Sequence, residues 1–261
     1  MMSEWGSEVS AIFKRWNTKL LRQPIIIFFS LINPLVWFLL FTQAFSAIGG
    51  LPSFAALTGT DSYTTFFTAA IIIQTVTSSA LQAGIGLVND LDSGFMDKMR
   101  VAPISKSSIL FGKLFSDAIT TIVQVVIILV IGLALGVHVA SGIPGVILIL
   151  ILAAAFGIAW SGLSMFVALT SKSTQTTLSV GLLTTFPLLF LSAAVLPVQL
   201  LPNWVQNVAT VNPFTYVAQV FQSLIIRGFE WTTIGNAVVT IVVVGAVTLT
   251  ASILVFRRKI S

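Results

Sequence analysis

Long apolar stretches alternate with short polar segments along this chain. Six of these stretches are long enough to cross a bilayer as helices, since one crossing takes about 20 residues. They cover residues 24–48, 66–88, 117–137, 143–169, 178–196 and 234–256. The pattern predicts an all-α, polytopic membrane protein in which one transmembrane domain with six transmembrane helices occupies residues 1–261.

A helix with two different faces is predicted before the first span, within residues 3–22. Apolar residues recur on one face at helical spacing, at Trp5, Val9, Ile12, Phe13, Trp16 and Leu20. Basic residues lie outside that face, at Lys14, Arg15, Lys19 and Arg22. We expect an interfacial amphipathic helix whose aromatic face enters the headgroup region of the membrane. The alternative is a soluble helix that packs on a partner.

The basic residues are distributed unevenly between the two sides of the predicted bilayer. All 13 Lys and Arg residues except Arg227 lie on one side when the six spans are threaded through a membrane. Positive residues mark the cytoplasmic side, so both termini and the loops around Arg100 and Lys172 are predicted to be cytoplasmic. Asp61 and Trp204 are predicted to face outside. We therefore expect a multi-pass protein of the plasma membrane.

Composition and missing motifs narrow the classes of function. The chain is 56% hydrophobic, 8% charged and free of cysteine, and its polar segments are too short for a separate soluble domain. It has no phosphate loop of the G-x-x-x-x-G-K-[ST] type and no H-E-x-x-H motif. No Lys, Arg, Glu or His lies well inside a span, which argues against ion-coupled transport. We expect no enzymatic activity, metal or cofactor on this chain. Anionic lipid explains its basic residues without nucleic acid.

Uncharged polar residues occur inside two of the spans. Gln74, Ser78 and Gln82 follow one another at i, i+4 and i+8 on the second span, and Thr121 and Gln124 share a face of the third with Asp117. Such groups either form hydrogen bonds between helices, which is the commoner role, or line a pathway for an amphiphilic substrate. Small residues on the fourth span predict a close helix contact; they are Gly157, Ser161, Ser164 and Ala168.

The segment between the fifth and sixth spans, residues 197–233, is apolar but broken by Pro197, Pro202 and Pro213. Proline is tolerated in the first turn of a helix, so two short helices are predicted, at 202–210 and 213–226. Neither is long enough to cross the membrane and return. A re-entrant helical hairpin buried in protein and a helix pair lying flat on the outer leaflet both fit this pattern.

The cytoplasmic loop at residues 89–113 carries a more specific pattern. Leu91, Phe95 and Met99 recur at i, i+4 and i+8, so a short helix ending before Pro103 would present an apolar ridge. Charged residues flank this ridge, at Asp92, Asp97, Lys98 and Arg100. An exposed apolar ridge needs a groove to fill. The alternative is a helix that folds back on the membrane, where anionic lipid would repel the three acids of the loop, Asp90, Asp92 and Asp97.

These segments together resemble the ABC-2 type transporter permeases, in particular the drug-export branch similar to the daunorubicin-resistance permeases. The resemblance covers nearly the whole chain. It rests on Arg22-Gln23-Pro24 and Asn33-Pro34, on the loop at 90–105 followed by Gly112-Lys113, and on Leu201-Pro202-Asn203-Trp204 and Asn212-Pro213-Phe214-Thr215-Tyr216.

The resemblance implies a function and its partners. The loop after the second span would be the coupling helix that docks on a separate cytoplasmic ABC ATPase subunit, which binds ATP and Mg²⁺. Its residues would be Asp90, Leu91, Asp92, Gly94, Phe95, Met96, Met99, Arg100 and Pro103. An outer gate would include Pro202, Trp204, Asn212, Pro213 and Tyr216. Two permeases, identical or closely related, would join two ATPases.

We therefore expect a permease subunit that exports an amphiphilic or hydrophobic compound, drug-like or lipid, across the plasma membrane. Export of a lipid-linked glycan is one alternative. A membrane scaffold or assembly factor without a transported substrate is the alternative from another class. The sequence leaves the substrate and the direction of transport open.

Overall fold

The computed structural model describes residues 2–21, 24–95 and 106–260, and over these ranges the chain forms helices joined by turns. The α-helices are α1 (Met2–Leu21), α2 (Pro24–Ala44), α3 (Ser46–Gly49), α4 (Pro52–Thr58), α5 (Tyr63–Asp92), α6 (Lys106–Ala134), α7 (Gly142–Ser171), α8 (Thr174–Phe190), α9 (Asn203–Val211), α10 (Pro213–Gln222) and α11 (Trp231–Ile260). A 3₁₀ turn at Val198–Leu200 precedes α9, and a π-helical turn at Ser223–Arg227 follows α10. The all-α prediction is confirmed.

Several of these helices are suited to a bilayer. Within the described residues, α5, α7, Gly112–Ala134 of α6 and Trp231–Phe256 of α11 are long and apolar enough to cross a membrane. The helix α2 adds the shorter apolar stretch Ser30–Ala44, and α8 has 17 residues. The chain is thus a membrane protein with several membrane-spanning helices, and the count of six stays a prediction.

The helix α8 ends earlier than its apolar run suggests. The sequence predicts a span to residue 196, but the helix stops at Phe190 and residues 191–196 form turns. The hydroxyl of Ser192 donates to the Leu189 carbonyl over 2.7 Å and accepts from the Ala194 amide over 3.2 Å, which turns the chain. Ala193 and Ala194 are buried. Their apolar character therefore reflects burial in protein and not a longer helix.

The helix α5 is the centre of the bundle and packs against α2, α6, α7, α8 and α10. Between Phe66 and Val76 every one of its residues is buried, as expected of a helix that is enclosed on all sides. Its crossing with α7 is very close. A Cβ atom added to Gly84 would lie 2.6 Å from the Ser164 carbonyl oxygen, and the Ser164 hydroxyl donates to the Ala80 carbonyl over 2.5 Å.

Small residues make this contact possible on the α7 side. The four residues of the predicted face are all buried, which confirms the helix contact predicted for this span; they are Gly157, Ser161, Ser164 and Ala168. The other side of α7 packs on α11, where the Thr248 hydroxyl donates to the Ala159 carbonyl over 2.5 Å. The opposite face of α11 is apolar and exposed, for example at Val239, and suits contact with lipid.

The bundle has two different ends. We call the end with α1, the C-terminus of α5 and the N-terminus of α6 the basic end, and the opposite end, with α4, α9 and α10, the distal end. At the distal end, the two short helices predicted at the prolines are present. Phe214 and Phe221 of α10 are fully buried, so this helix is enclosed by protein as a re-entrant arrangement requires. In contrast, Trp204 of α9 is 62% exposed.

Candidate functional site

A cavity opens on the side of the bundle between α2, α5 and α8. It has a volume of about 190 Å³. Polar side chains from α2 and α5 form one wall, at Ser30, Asn33, Gln74, Thr77, Ser78 and Gln82. The α8 wall is apolar except for Thr185, with Leu178, Leu182, Phe186 and Leu189. We call this space the lateral cavity. One wall thus offers hydrogen bonds and the facing wall offers apolar surface.

The three residues predicted on the second span all line the lateral cavity. Gln74 is buried and donates through Nε2 to Oδ1 of Asn33 over 3.0 Å. One and two turns further along α5, Ser78 is half-buried and Gln82 is exposed. The i, i+4, i+8 spacing therefore places a polar stripe along the cavity. The sequence did not reveal Asn33 as the hydrogen-bond partner of Gln74, because nothing in one sequence relates positions 41 residues apart.

The two residues predicted on the third span have a different role. Gln124 donates through Nε2 to the Ser30 hydroxyl over 2.7 Å, and the Thr121 hydroxyl bonds that of Ser79 over 2.9 Å. Neither residue lines the lateral cavity. Their arrangement favours the packing alternative, in which α6 is held against α2 and α5 by hydrogen bonds between helices.

A cluster of aromatic rings closes the distal end of the lateral cavity. Phe41 of α2 stacks on Phe67 of α5 with ring centroids 5.2 Å apart. The ring centroid of Trp37 lies 5.7 Å from that of Phe186 and 6.2 Å from that of Phe190, both on α8. Because Phe186 also lines the cavity, the wall of the cavity passes directly into this aromatic cluster.

The described part of the predicted coupling segment begins while α5 is still helical. The sequence predicts a short helix that carries Leu91, Phe95 and Met99 and ends before Pro103, but α5 continues to Asp92, and Gly94 then has a φ of 67°. A residue with positive φ ends an α-helix. Leu91 and Phe95 therefore do not form one continuous helical ridge, and that prediction is wrong for this pair. Met96, Met99, Arg100 and Pro103 lie outside the described residues.

The residues of this segment have unequal environments. Asp90 is buried at the end of α5, and Leu91 packs against the apolar core of the basic end. Asp92 is exposed. Phe95 is half-buried, and the guanidinium carbon of Arg15 lies 3.4 Å from the centre of its ring. The helix α1 thus contacts the coupling segment directly.

Further contacts fix α1 on the start of α6. Lys113 is buried, its ammonium lies 4.3 Å from the centre of the Trp16 ring, and it pairs with Asp117 at 3.2 Å. The Ser108 hydroxyl lies 2.7 Å from Oε2 of Glu8. Part of the apolar face of α1 thus packs on protein, although the sequence assigned it to lipid headgroups. The i, i+4 spacing of Lys113 and Asp117 is the signal in the sequence that could have revealed their pair.

At the distal end, Asn212 joins three helices. Its Nδ2 donates to the carbonyls of Leu188 and Leu191 at the end of α8, over 2.7 and 2.8 Å. Its Oδ1 accepts from the Phe214 amide over 2.9 Å and caps α10. The hydroxyl of Tyr216 donates a hydrogen bond to the Thr210 carbonyl over 2.6 Å.

The predicted gate residues are therefore only partly brought together. Asn212, Pro213 and Tyr216 meet at the junction of α9 and α10, where Pro213 occupies the first turn of α10. Pro202 precedes α9 and is exposed. Trp204, in the first turn of α9, has most of its surface exposed.

Comparisons with known proteins agree with this architecture. Residues 7–226 match the family model described as ABC-2 type transporter. The putative transport permease ycf38 of Porphyra purpurea is 29% identical over 217 residues, which cover 81% of this chain and 72% of that protein. The daunorubicin resistance ABC transporter permease protein DrrB1 of Streptomyces coeruleorubidus is 24% identical over 201 residues, 77% of this chain and 69% of that protein. The probable multidrug ABC transporter permease YbhR of Escherichia coli K12 is 23% identical over 192 residues, 73% of this chain and 51% of that protein.

Proposed function

The chain belongs to the ABC-2 type transporter family, and we propose that it is the permease subunit of an exporter that moves an amphiphilic compound across the plasma membrane. A separate ABC ATPase subunit, carrying ATP and Mg²⁺, supplies the energy. The single observation that carries this proposal is the lateral cavity, in which a polar wall faces an apolar wall. An amphiphile needs both kinds of surface at once.

The lateral cavity also supports a dimer of permeases. Asn33 is exposed on α2, within an apolar helix, and Gln82 is exposed on α5. Polar groups that face lipid are costly, so they favour a covering protein surface. The cavity is also smaller than the roughly 300–1,000 Å³ of pockets that hold drug-sized ligands. Two copies that join along α2 and α8 would combine two half-sites into one enclosed pathway.

The basic end supports docking of the ATPase. Asp92 is exposed at the end of α5, and Phe95 lies next to it, held by Arg15 of α1. A displacement of this segment by the ATPase would be transmitted to the lateral cavity through α5, because this one helix carries both Asp92 and Gln82. It would reach α6 through α1 and the buried Lys113. In this proposal the basic end is cytoplasmic and the distal end faces outside.

The cavity can be tested with a substitution that fills it. We propose Ser78→Trp, with Val239→Trp on the exposed face of α11 as the matched control. Inverted membrane vesicles that contain the permease and its ATPase are supplied with ATP and a panel of fluorescent amphiphiles. Daunorubicin is included because the Streptomyces relative is a daunorubicin resistance permease. Vesicles with the wild-type protein or with Val239→Trp should accumulate at least one compound, whereas vesicles with Ser78→Trp should not. Accumulation that Ser78→Trp leaves unchanged would contradict the proposed pathway.

The dimer can be tested because the natural chain has no cysteine. Val36 is exposed on α2, close to the mouth of the lateral cavity, and Val239 is exposed on α11. Val36→Cys should form a disulfide between copies on oxidation in the membrane, and Val239→Cys should not. Equal cross-linking at both positions would point to random collisions. A membrane scaffold would pass this test but fail the vesicle assay.

A further inference from the structure

Arg227 is the one basic residue that the charge pattern places on the outer side. The rule that explains the other Lys and Arg residues as cytoplasmic anchors does not explain it. It lies at the distal end, at the close of the π-helical turn Ser223–Arg227. A single charge that opposes the topological pattern calls for a local role.

The backbone around Arg227 is held in an uncommon conformation. Short π-helical turns occur frequently at functional sites. The loop before α7 braces this turn, since the Ala140 amide donates to the Ile225 carbonyl over 2.9 Å and the Ser141 hydroxyl donates to the Leu224 carbonyl over 2.7 Å. Gly228 then ends the turn with a φ of 102°, which side chains other than glycine rarely adopt. The position of Arg227 is thus fixed by the fold.

Within the ranges that the structure describes, the guanidinium of Arg227 is held on one edge. Its Nε lies 3.1 Å from Oε1 of Glu230, and the other oxygen of Glu230 accepts from the Thr233 hydroxyl over 3.0 Å. The end of α4 packs along the aliphatic part, since a Cβ atom on Gly59 would lie 3.7 Å from Cγ of Arg227. Among the described residues, no acceptor pairs with the two terminal nitrogens of this guanidinium.

Arg227 also lines a second cavity, of about 180 Å³, that we call the distal cavity. Its polar lining consists of Thr58, Gln199, Gln219, Gln222 and Arg227. Gln222 is buried and oriented by a hydrogen bond of 2.9 Å from its Nε2 to the Ala193 carbonyl. Phe66 and Pro197 provide apolar surface beside these groups. The distal cavity therefore combines one cation, several amide groups and an apolar wall.

We propose that the distal cavity is a binding site for an oxyanion, the phosphate or carboxylate head of an amphiphile on the outer side of the membrane. The two terminal nitrogens of a guanidinium match two oxygens of such a group, and the amides of Gln199 and Gln219 supply further donors. Phe66 and Pro197 accept the first carbons behind the head. The source of the oxyanion is a lipid of the outer leaflet or a free anion. This site goes beyond the export pathway, since its occupation requires neither ATP nor a partner chain.

The test is a binding titration of the purified full chain in a neutral detergent. The probes are dihexanoyl phosphatidylglycerol, inorganic phosphate and an uncharged monoacylglycerol, and heat of binding is the signal. The main variant is Arg227→Gln combined with Glu230→Gln, because the single change would leave the Glu230 carboxylate without its cation. The matched control is Arg258→Gln at the basic end, where Arg258 is exposed. Thermal unfolding of each variant verifies that it is folded.

Wild type and Arg258→Gln should bind phosphatidylglycerol saturably, and the double variant should bind about tenfold or more weakly, as expected on loss of hydrogen bonds to a charged group. Gln219→Leu, which keeps the ion pair, should weaken binding severalfold. If inorganic phosphate binds with the same dependence on Arg227, the site recognises the head alone; if only the lipid binds, it recognises the whole amphiphile. The proposal is overturned if the double variant binds like wild type, if monoacylglycerol binds equally well, or if neither anionic probe binds.

Discussion

The crossing of α5 and α7 gives a sharp test of the packing, because two glycines on α5 have opposite surroundings. A Cβ atom on Gly84 would lie 2.6 and 2.7 Å from the carbonyl oxygen and carbon of Ser164, which are backbone atoms and cannot turn aside. Among the described residues, the nearest neighbour of a Cβ atom on Gly86 would be Nζ of Lys113, at an ordinary contact distance of 3.7 Å. Gly84→Ala should therefore force the helices apart, and Gly86→Ala should not.

The magnitude of the difference follows from one contribution that the two variants share and two that they do not. Both gain the helix propensity of alanine over glycine, about 1 kcal/mol. Only Gly84→Ala overpacks the crossing, which costs about 1–3 kcal/mol, and it also disturbs the hydrogen bond from Ser164 to Ala80, which in a membrane contributes about 0.6 kcal/mol. The difference in the free energy of unfolding should thus be roughly 1.6–3.6 kcal/mol.

The assay is thermal unfolding of both variants in the same detergent, followed by tryptophan fluorescence. At about 2–4 °C per kcal/mol for a chain of this size, Gly84→Ala should unfold roughly 3–14 °C below Gly86→Ala. Because α5 carries the lateral cavity and the coupling segment, Gly84→Ala should also lower transport more than Gly86→Ala does. A Gly84→Ala protein that unfolds at or above the temperature of Gly86→Ala would refute the close crossing.

Three further predictions address the two ends of the bundle. Asn212→Ala removes three hydrogen bonds and should lower stability by about 2 kcal/mol, at about 0.6 kcal/mol for each of the two bonds to α8 plus about 1 kcal/mol for the cap of α10. Asn207→Ala on the exposed face of α9 should have little effect in the same unfolding assay. Phe95→Ala should abolish co-purification of the ATPase, since a buried aromatic anchor contributes about 2 kcal/mol or more, and Asp92→Asn at the rim should weaken it mildly. A reporter that works only outside the cytoplasm should be active when fused after residue 62 and inactive when fused after residue 261.

Each of these predictions has an outcome that contradicts it. Equal melting temperatures for the two asparagine variants would mean that Asn212 does not hold α8 and α10 together. If Phe95→Ala keeps the ATPase while Asp92→Asn loses it, the docking surface is electrostatic and not an apolar anchor. Equal reporter activity outside the cytoplasm at both fusion sites would overturn the assigned topology.

The sequence predicted the helices well where composition alone determines them. Long apolar runs predict helices because a bilayer or a protein interior leaves backbone groups few other partners. Two features misled that inference. The run through residues 191–196 is apolar because it is buried under other helices, and the turn that Ser192 stabilises has no apolar signature. At the basic end, the positive φ of Gly94 breaks the spacing that related Leu91 to Phe95.

The candidate site could be predicted only in part, because its pairs are distant in sequence. Helical spacing correctly placed Gln74, Ser78 and Gln82 on one stripe. Spacing cannot show that Asn33 receives the hydrogen bond of Gln74. Likewise, the charge pattern singled out Arg227, but the braced π-helical turn that directs it to the distal cavity depends on contacts with another loop.

The central claim, that this chain is the permease subunit of an ATP-driven exporter, is tested most directly by isolating it from its native membrane in a mild detergent. The account predicts that an ATPase with a phosphate loop purifies with the chain in a one-to-one ratio, and that the reconstituted complex moves an amphiphile only when ATP is supplied. The isolated chain should neither hydrolyse ATP nor respond to a proton gradient. Uptake driven by a proton gradient, by the chain alone and without ATP, would contradict the account and indicate a secondary transporter.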